Sequence, residues 1–182
     1  MLMNRRNSLL MIIDVQERLA PAMDDPRQVI SNSARLVGAA KAMGVPFVIT
    51  EQYPKGLGQT MIDVRQEAGD EAAFFSKLYF SCAREPEIMR AIQESGRRQI
   101  ILAGAETHIC LLQTAMDLKG RGYEVFVVSN ASSSRDAVQN VMALQRMAHG
   151  GIDIVTSEMV IFEWLEKAGT DEFKQIVNKY IL

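Results

Sequence analysis

The chain has 182 residues, 48% of them hydrophobic and 23% charged, which suits a globular fold with a sizeable core and argues against disorder. Its formal charge of −2, with both signs interspersed, offers no basic face for nucleic acid or an anionic membrane. No apolar run approaches the roughly 20 residues that span a bilayer.

In chain order, residues 8–13 form a nearly continuous apolar run, as in a strand buried on both faces. Preceded by Arg5 and Arg6, this run stops at Asp14 with no small-residue cleavage site behind it, so it does not read as a signal peptide. Asp25-Pro26 then offers a helix cap with proline at the first helical position. Val29, Ser33, Leu36, Val37 and Ala40 share a face, and Gly44 with Pro46 closes the helix. Residues 45–50 read as a second buried strand. Residues 51–72 read as a long excursion with turns at Pro54, Gly56 and Gly58. A short third strand is expected over 73–76 with Lys77 at its end, and a helix over 86–94 capped by Gly96.

Three more units follow: strand 99–103 with a helix from about Thr107 to Leu118, strand 124–128 with a helix from about Ser134 to Ala148, and strand 152–155 with a helix over 157–167. A last helix begins near Thr170. Strands separated by helices need parallel crossovers, so the expected fold is α/β: a three-layer α/β/α sandwich on a six-stranded, mostly parallel sheet. No linker or repeat divides the chain, which reads as one domain over 1–182. Two well-separated cysteines, Cys82 and Cys110, fit a reducing, cytoplasmic setting.

Sites in such sheets lie at the carboxyl ends of the strands. Asp14 ends the first strand and is either a turn or cap residue or a functional carboxylate. Lys77, among aromatic and apolar neighbours, either snorkels to solvent or sits by an anion. Cys110 falls in the first turn after the fourth strand. There it is either a small core side chain or a nucleophile whose thiolate is favoured by free N–H groups and the helix dipole. Those N–H groups would also serve as oxyanion donors. His108 lies only two residues before Cys110, a spacing that does not bring helical side chains together. His149 suits a helix C-terminus.

The segments LMIIDVQ (10–16), FSK (75–77) and GAETHICLLQTAMDL (104–118) resemble, in order and spacing, three signatures of the isochorismatase-like cysteine hydrolases. SNASSSR (129–135) and AHGG (148–151) are similar too. TEQYPKGLG (50–58) resembles the branch of isochorismatase domain-containing proteins of bacteria and eukaryotes. The resemblance implies a triad: Cys110 as nucleophile, Asp14 as general base and acid, and Lys77 bridging them. It also implies a non-proline cis peptide joining Ala105 to Glu106, with the N–H groups of Glu106 and Cys110 aimed at a shared oxyanion. Gln16, Gln52, Tyr53 and Phe80 are the expected substrate-pocket residues.

The nicotinamidase-like branch carries an Asp/His metal site after strand two. Here Gln52 and Pro54 stand in that stretch, so neither a metal nor another cofactor is expected. True isochorismatases lack the nucleophilic cysteine, so Cys110 speaks against vinyl-ether cleavage. The expectation is a metal-independent, amidase-like hydrolase of a small molecule, acting as a homo-oligomer of two or more copies. The alternative is a scaffold protein that keeps the fold with little turnover.

Overall fold

The computed structural model describes residues 1–182. Six strands, β1 (Ser8–Ile13), β2 (Phe47–Gln52), β3 (Phe74–Lys77), β4 (Gln99–Ala105), β5 (Glu124–Ser133) and β6 (Asp153–Val155), form one sheet in the order β3-β2-β1-β4-β5-β6. Every strand pairing is parallel. Each connection therefore crosses over the sheet, and helices cover both faces. Alternation along β1 divides the core. Leu10 and Ile12 face one layer with α1 (Pro26–Ala42), α7 (Ser157–Leu165) and α8 (Asp171–Tyr180). Leu9, Met11 and Ile13 face the other with α4 (Pro86–Ser95), α5 (Leu112–Gly120) and α6 (Ala137–His149). The three-layer α/β/α sandwich is thus the observed fold.

Local chemistry explains most boundaries. Asp25 caps α1 by accepting from the Gln28 N–H at 3.0 Å, and Gly44 turns the chain out at φ 71°. The second strand starts two residues later than expected because Val45 still belongs to the helix exit, its N–H bonded to Ala40 O at 2.8 Å. The 51–72 excursion contains two short helices, α2 (Pro54–Leu57) and α3 (Ile62–Ala68). β5 runs five residues past its expected end, since beyond a register shift Ser132 and Ser133 pair with Gly104 and Ala105. The following helix therefore starts at Ala137, capped by Asp136, rather than near Ser134. The turn after β4 is not α-helical at its start: Thr107–Leu111 form a π-helical turn before α5 begins at Leu112.

Strand order reverses between β1 and β4. The crossovers leave that boundary toward opposite faces, opening a crevice above the two carboxyl ends. Gly104 lets the two strands close up beneath it. At φ 124° it lies so near β1 that a Cβ would meet Ile13 O at 2.0 Å.

Candidate active site

The chain leaves β1 through Asp14, which adopts φ 54°, a left-handed conformation that non-glycine residues rarely hold. Its side chain caps no helix. It is wholly buried, accepts from Thr50 Oγ1 at 2.8 Å, and pairs through Oδ2 with Lys77 Nζ at 2.9 Å. Lys77 does not snorkel, because its side chain is also wholly buried. Besides Asp14, its ammonium donates to Gln52 Oε1, to Tyr79 O at 3.2 Å and to Phe80 O at 2.9 Å. A buried cation surrounded by one carboxylate and three carbonyl oxygens has a protein partner for each of its protons.

Cys110 lies on the π-helical turn at the end of β4 and is 6% exposed. Its Sγ is 3.9 Å from Gln52 Oε1. The peptide bond between Ala105 and Glu106 is cis. The Glu106 N–H that follows donates to no backbone carbonyl. Its carboxylate is gripped by Arg135, whose Nε lies 3.0 Å away and whose backbone N–H donates to Oε2 at 3.0 Å.

Burial pushes the Asp14 carboxyl above its ordinary value, against the charge of Lys77 and hydrogen bonds from Lys77, Thr50 and Cys110. Burial works against the Lys77 ammonium, yet the attraction of Asp14, Cys82 and Cys110 outweighs it and leaves that group above its usual value. Burial and then the Asp14 carboxylate raise the Cys110 thiol well above 9.0, and Lys77 only partly offsets them. This corrects the expectation of a standing thiolate. Burial beside a carboxylate favours the protonated sulfur, and one ammonium does not overcome it. An Asp14 carboxyl with raised proton affinity is correspondingly a better base for that proton.

Of the expected pocket residues, Gln52 touches both Lys77 and Cys110. Tyr53 is half-exposed at φ 37°, and the Phe80 side chain is also exposed while its carbonyl serves Lys77. Gln16 is not at the surface of the pocket. It is fully buried, with Nε2 on Gln52 O and Gly58 O and Oε1 accepting from Gln52 N–H, so it braces the end of β2. A cavity of about 490 Å³ beside β3 is lined by Tyr53, Lys55, Lys77, Tyr79 and Glu85 among others. His108 bonds Ser134 through Nδ1 at 2.8 Å, and His149 ends α6. No three His, Cys, Asp or Glu side chains cluster as a metal would need. No helix is long and apolar enough to cross a membrane.

Sequence reading missed Thr50 and Arg135 as neighbours of this centre, and left open whether Cys82 lines the pocket or fills space. Thr50 was findable, because it ends the buried run beside Asp14 and pairs with Ile13. Cys82, wholly buried, lies 3.9 Å from Thr50 Oγ1 and takes a bond from its own N–H to Thr114 Oγ1 at 2.9 Å. Burial and Asp14 push its thiol up to about 11.

Residues 8–159 match the isochorismatase domain family. Isochorismatase domain-containing protein 1 of Danio rerio is 41% identical over 172 residues, 94% of this chain but 60% of its own length. This chain therefore spans about three-fifths of that relative. The structure of the MAR1 ribonuclease from Caenorhabditis elegans superimposes with a TM-score of 0.92 at 34% identity, covering 100% of this chain and 92% of that one. YcaC from Escherichia coli, an octameric hydrolase of unknown specificity, shares the fold at a TM-score of 0.91 and 20% identity, covering 98% and 90%. The chain belongs to the isochorismatase family, whose members are generally hydrolases.

Proposed function

We propose that this protein is a cysteine hydrolase that cleaves an amide or related acyl bond of a small molecule through a covalent acyl-enzyme. The observation that carries the reading is the placement of Cys110 beside the buried Asp14–Lys77 pair, with Gln52 touching both Cys110 and Lys77, at the switch in strand order. Asp14 takes the Cys110 proton as the sulfur attacks the substrate carbonyl carbon. The carbonyl electrons move onto oxygen, which rests on the N–H groups of Glu106 and Cys110. The tetrahedral species collapses as Asp14 returns its proton to the leaving amine, breaking the C–N bond and leaving a thioester. Asp14 then deprotonates water, which attacks the thioester, and the proton passes to the departing Cys110 sulfur. Lys77 stays charged throughout and favours the ionised form of the buried Asp14 carboxyl between its proton transfers.

The test is a turnover screen across small amides, ureas and esters with wild type and Cys110→Ser. Turnover that disappears in Cys110→Ser and survives exhaustive chelation supports a metal-independent cysteine mechanism. Turnover retained in Cys110→Ser, or abolished by chelation and restored by metal, refutes it. Absence of turnover on every compound favours the scaffold alternative.

A second reading comes from the MAR1 ribonuclease relative. The bond cleaved in RNA is a phosphodiester, with no acyl carbon at the scissile centre, and this chain carries a net charge of −2, so the acyl reading is preferred. An RNA arm in the same screen decides it: cleavage lost in Cys110→Ser would place RNA among the substrates. We also propose cytoplasmic action and assembly into a homo-oligomer, in keeping with the octameric YcaC, which light scattering of the purified chain tests.

A further inference from the structure

The side chains of Asp14 and Lys77 are fully buried and Cys110 is nearly so. Little of Cys110 is open to a substrate in this arrangement, and Gln52 Oε1 stands 3.9 Å from its sulfur. Gln52 is the partly exposed residue that touches both Lys77 and Cys110. Its backbone cannot shift easily, because Gln16 binds its N–H at 2.7 Å and its carbonyl at 3.0 Å. The neighbouring loop is equally fixed, with the N–H groups of Leu78 and Tyr79 both held by Glu85 Oε1 at 2.9 and 3.0 Å. The Gln52 side chain, by contrast, is held only through its carboxamide, which accepts from Lys77 at one end and donates from Nε2 to Leu78 O at 2.9 Å at the other.

The ammonium of Lys77 has three protons and four acceptors in reach: Asp14, Gln52, Tyr79 O and Phe80 O. If Gln52 leaves, every proton still has a partner. Gln52 is the surplus acceptor, and it is itself a primary carboxamide lying against the nucleophile.

We propose that Gln52 is the gate and specificity-determining residue of this site, its carboxamide holding the place of a planar substrate amide until that amide displaces it. The inference rests on the cysteine-hydrolase reading above. In the closed state Gln52 Oε1 covers Cys110. In the open state its side chain rotates toward solvent, giving up the bonds to Lys77 and Leu78 O, and the substrate amide enters between Lys77 and Cys110. Secondary and tertiary amides with bulk on nitrogen fit that space less well than primary ones.

The test is the rate of alkylation of Cys110 in Gln52→Ala and wild type at fixed pH, using iodoacetamide and the bulkier N-benzyl iodoacetamide, with peptide mapping. Wholly buried Cys82 reports folding in the same digest. In Gln52→Ala, Cys110 is expected to react about tenfold faster with iodoacetamide, the scale of one lost bond to a charged group. With the N-benzyl reagent the factor is expected to be larger, while Cys82 stays unlabelled. An unchanged rate overturns the gate. So does an increase by the same factor for both reagents, which marks a change in thiol acidity rather than an opened path. Should Gln52→Ala label Cys82 as well, Gln52→Ser is judged by the same two criteria. Turnover retained in Cys110→Ser overturns the hydrolase reading and leaves the labelling result standing. A size-independent factor alongside turnover lost in Cys110→Ser overturns the gate alone.

Discussion

Lys77→Met and Asp14→Asn are expected to move the titration of Cys110 in opposite directions. The two charges lie 2.9 Å apart with neither side chain exposed, an attraction of about 6 kcal/mol at an effective dielectric of about 20. Asp14 raises the thiol and Lys77 lowers it. A single charge within about 4–6 Å moves a neighbouring pKa by about one to three pH units. Without Lys77 the thiol loses the charge and the hydrogen bond that lower its pKa, so it is expected to titrate higher. Without the Asp14 charge, burial still raises the thiol but no carboxylate opposes the ammonium, so the pKa falls from its wild-type value. Each pH unit is tenfold in thiolate, so at one fixed pH Lys77→Met should alkylate at Cys110 roughly ten- to thousandfold slower than wild type. Asp14→Asn should alkylate faster by a similar factor. Both should lose turnover, one for want of a positioned base, the other for want of any proton carrier. The assay is iodoacetamide labelling of the Cys110 peptide across pH, with circular dichroism and silent Cys82 as folding controls. Two folded variants that shift the same way, or not at all, would falsify the coupling of these three groups.

Other expectations concern the frame around Asp14, Lys77 and Cys110. Gly104→Ala should cost more than about 4 kcal/mol or prevent folding, since its Cβ would lie 2.0 Å from Ile13 O at a φ of 124°; thermal denaturation reads this, and a near-native Tm contradicts it. Arg135→Ala should leave Tm nearly unchanged but reduce kcat roughly tenfold, because it frees the Glu106 carboxylate that steadies the proposed oxyanion donor. Stability should fall as pH rises from 9 toward 11. The unfolded chain releases the Cys82 proton at 9.0 while the folded chain keeps it to about 11, about 3 kcal/mol over that window. Cys82→Ala should flatten the part of the denaturation profile that this thiol causes.

The apolar runs of β1 and β4 were legible because strands buried on both faces leave no polar interruptions, and caps such as Asp25 and Thr170 announced their helices. The start of β5 was legible in the same way, but its far end was not, since that end carries serines whose pairing with Gly104 and Ala105 depends on a register shift rather than on hydrophobicity. Short helices α2 and α3 held too few turns to show a periodicity against their glycines and charges. The positions of Asp14, Lys77 and Cys110 could be placed at strand ends. Their protonation could not, because it depends on how completely the surrounding layers exclude water. The contacts of Gln52 and Arg135 join elements far apart in sequence, and no local pattern encodes them.

The central claim is that Cys110 carries the acyl group during turnover. Rapid acid quench with a compound found to be hydrolysed, followed by intact-mass and peptide mass spectrometry, tests it directly. The predicted result is an added acyl mass on the Cys110 peptide that appears during turnover, decays as substrate is consumed, accumulates in Asp14→Asn if any forms there, and is absent in Cys110→Ser. Turnover with no acyl mass on Cys110, or with the acyl mass on another residue, would contradict it.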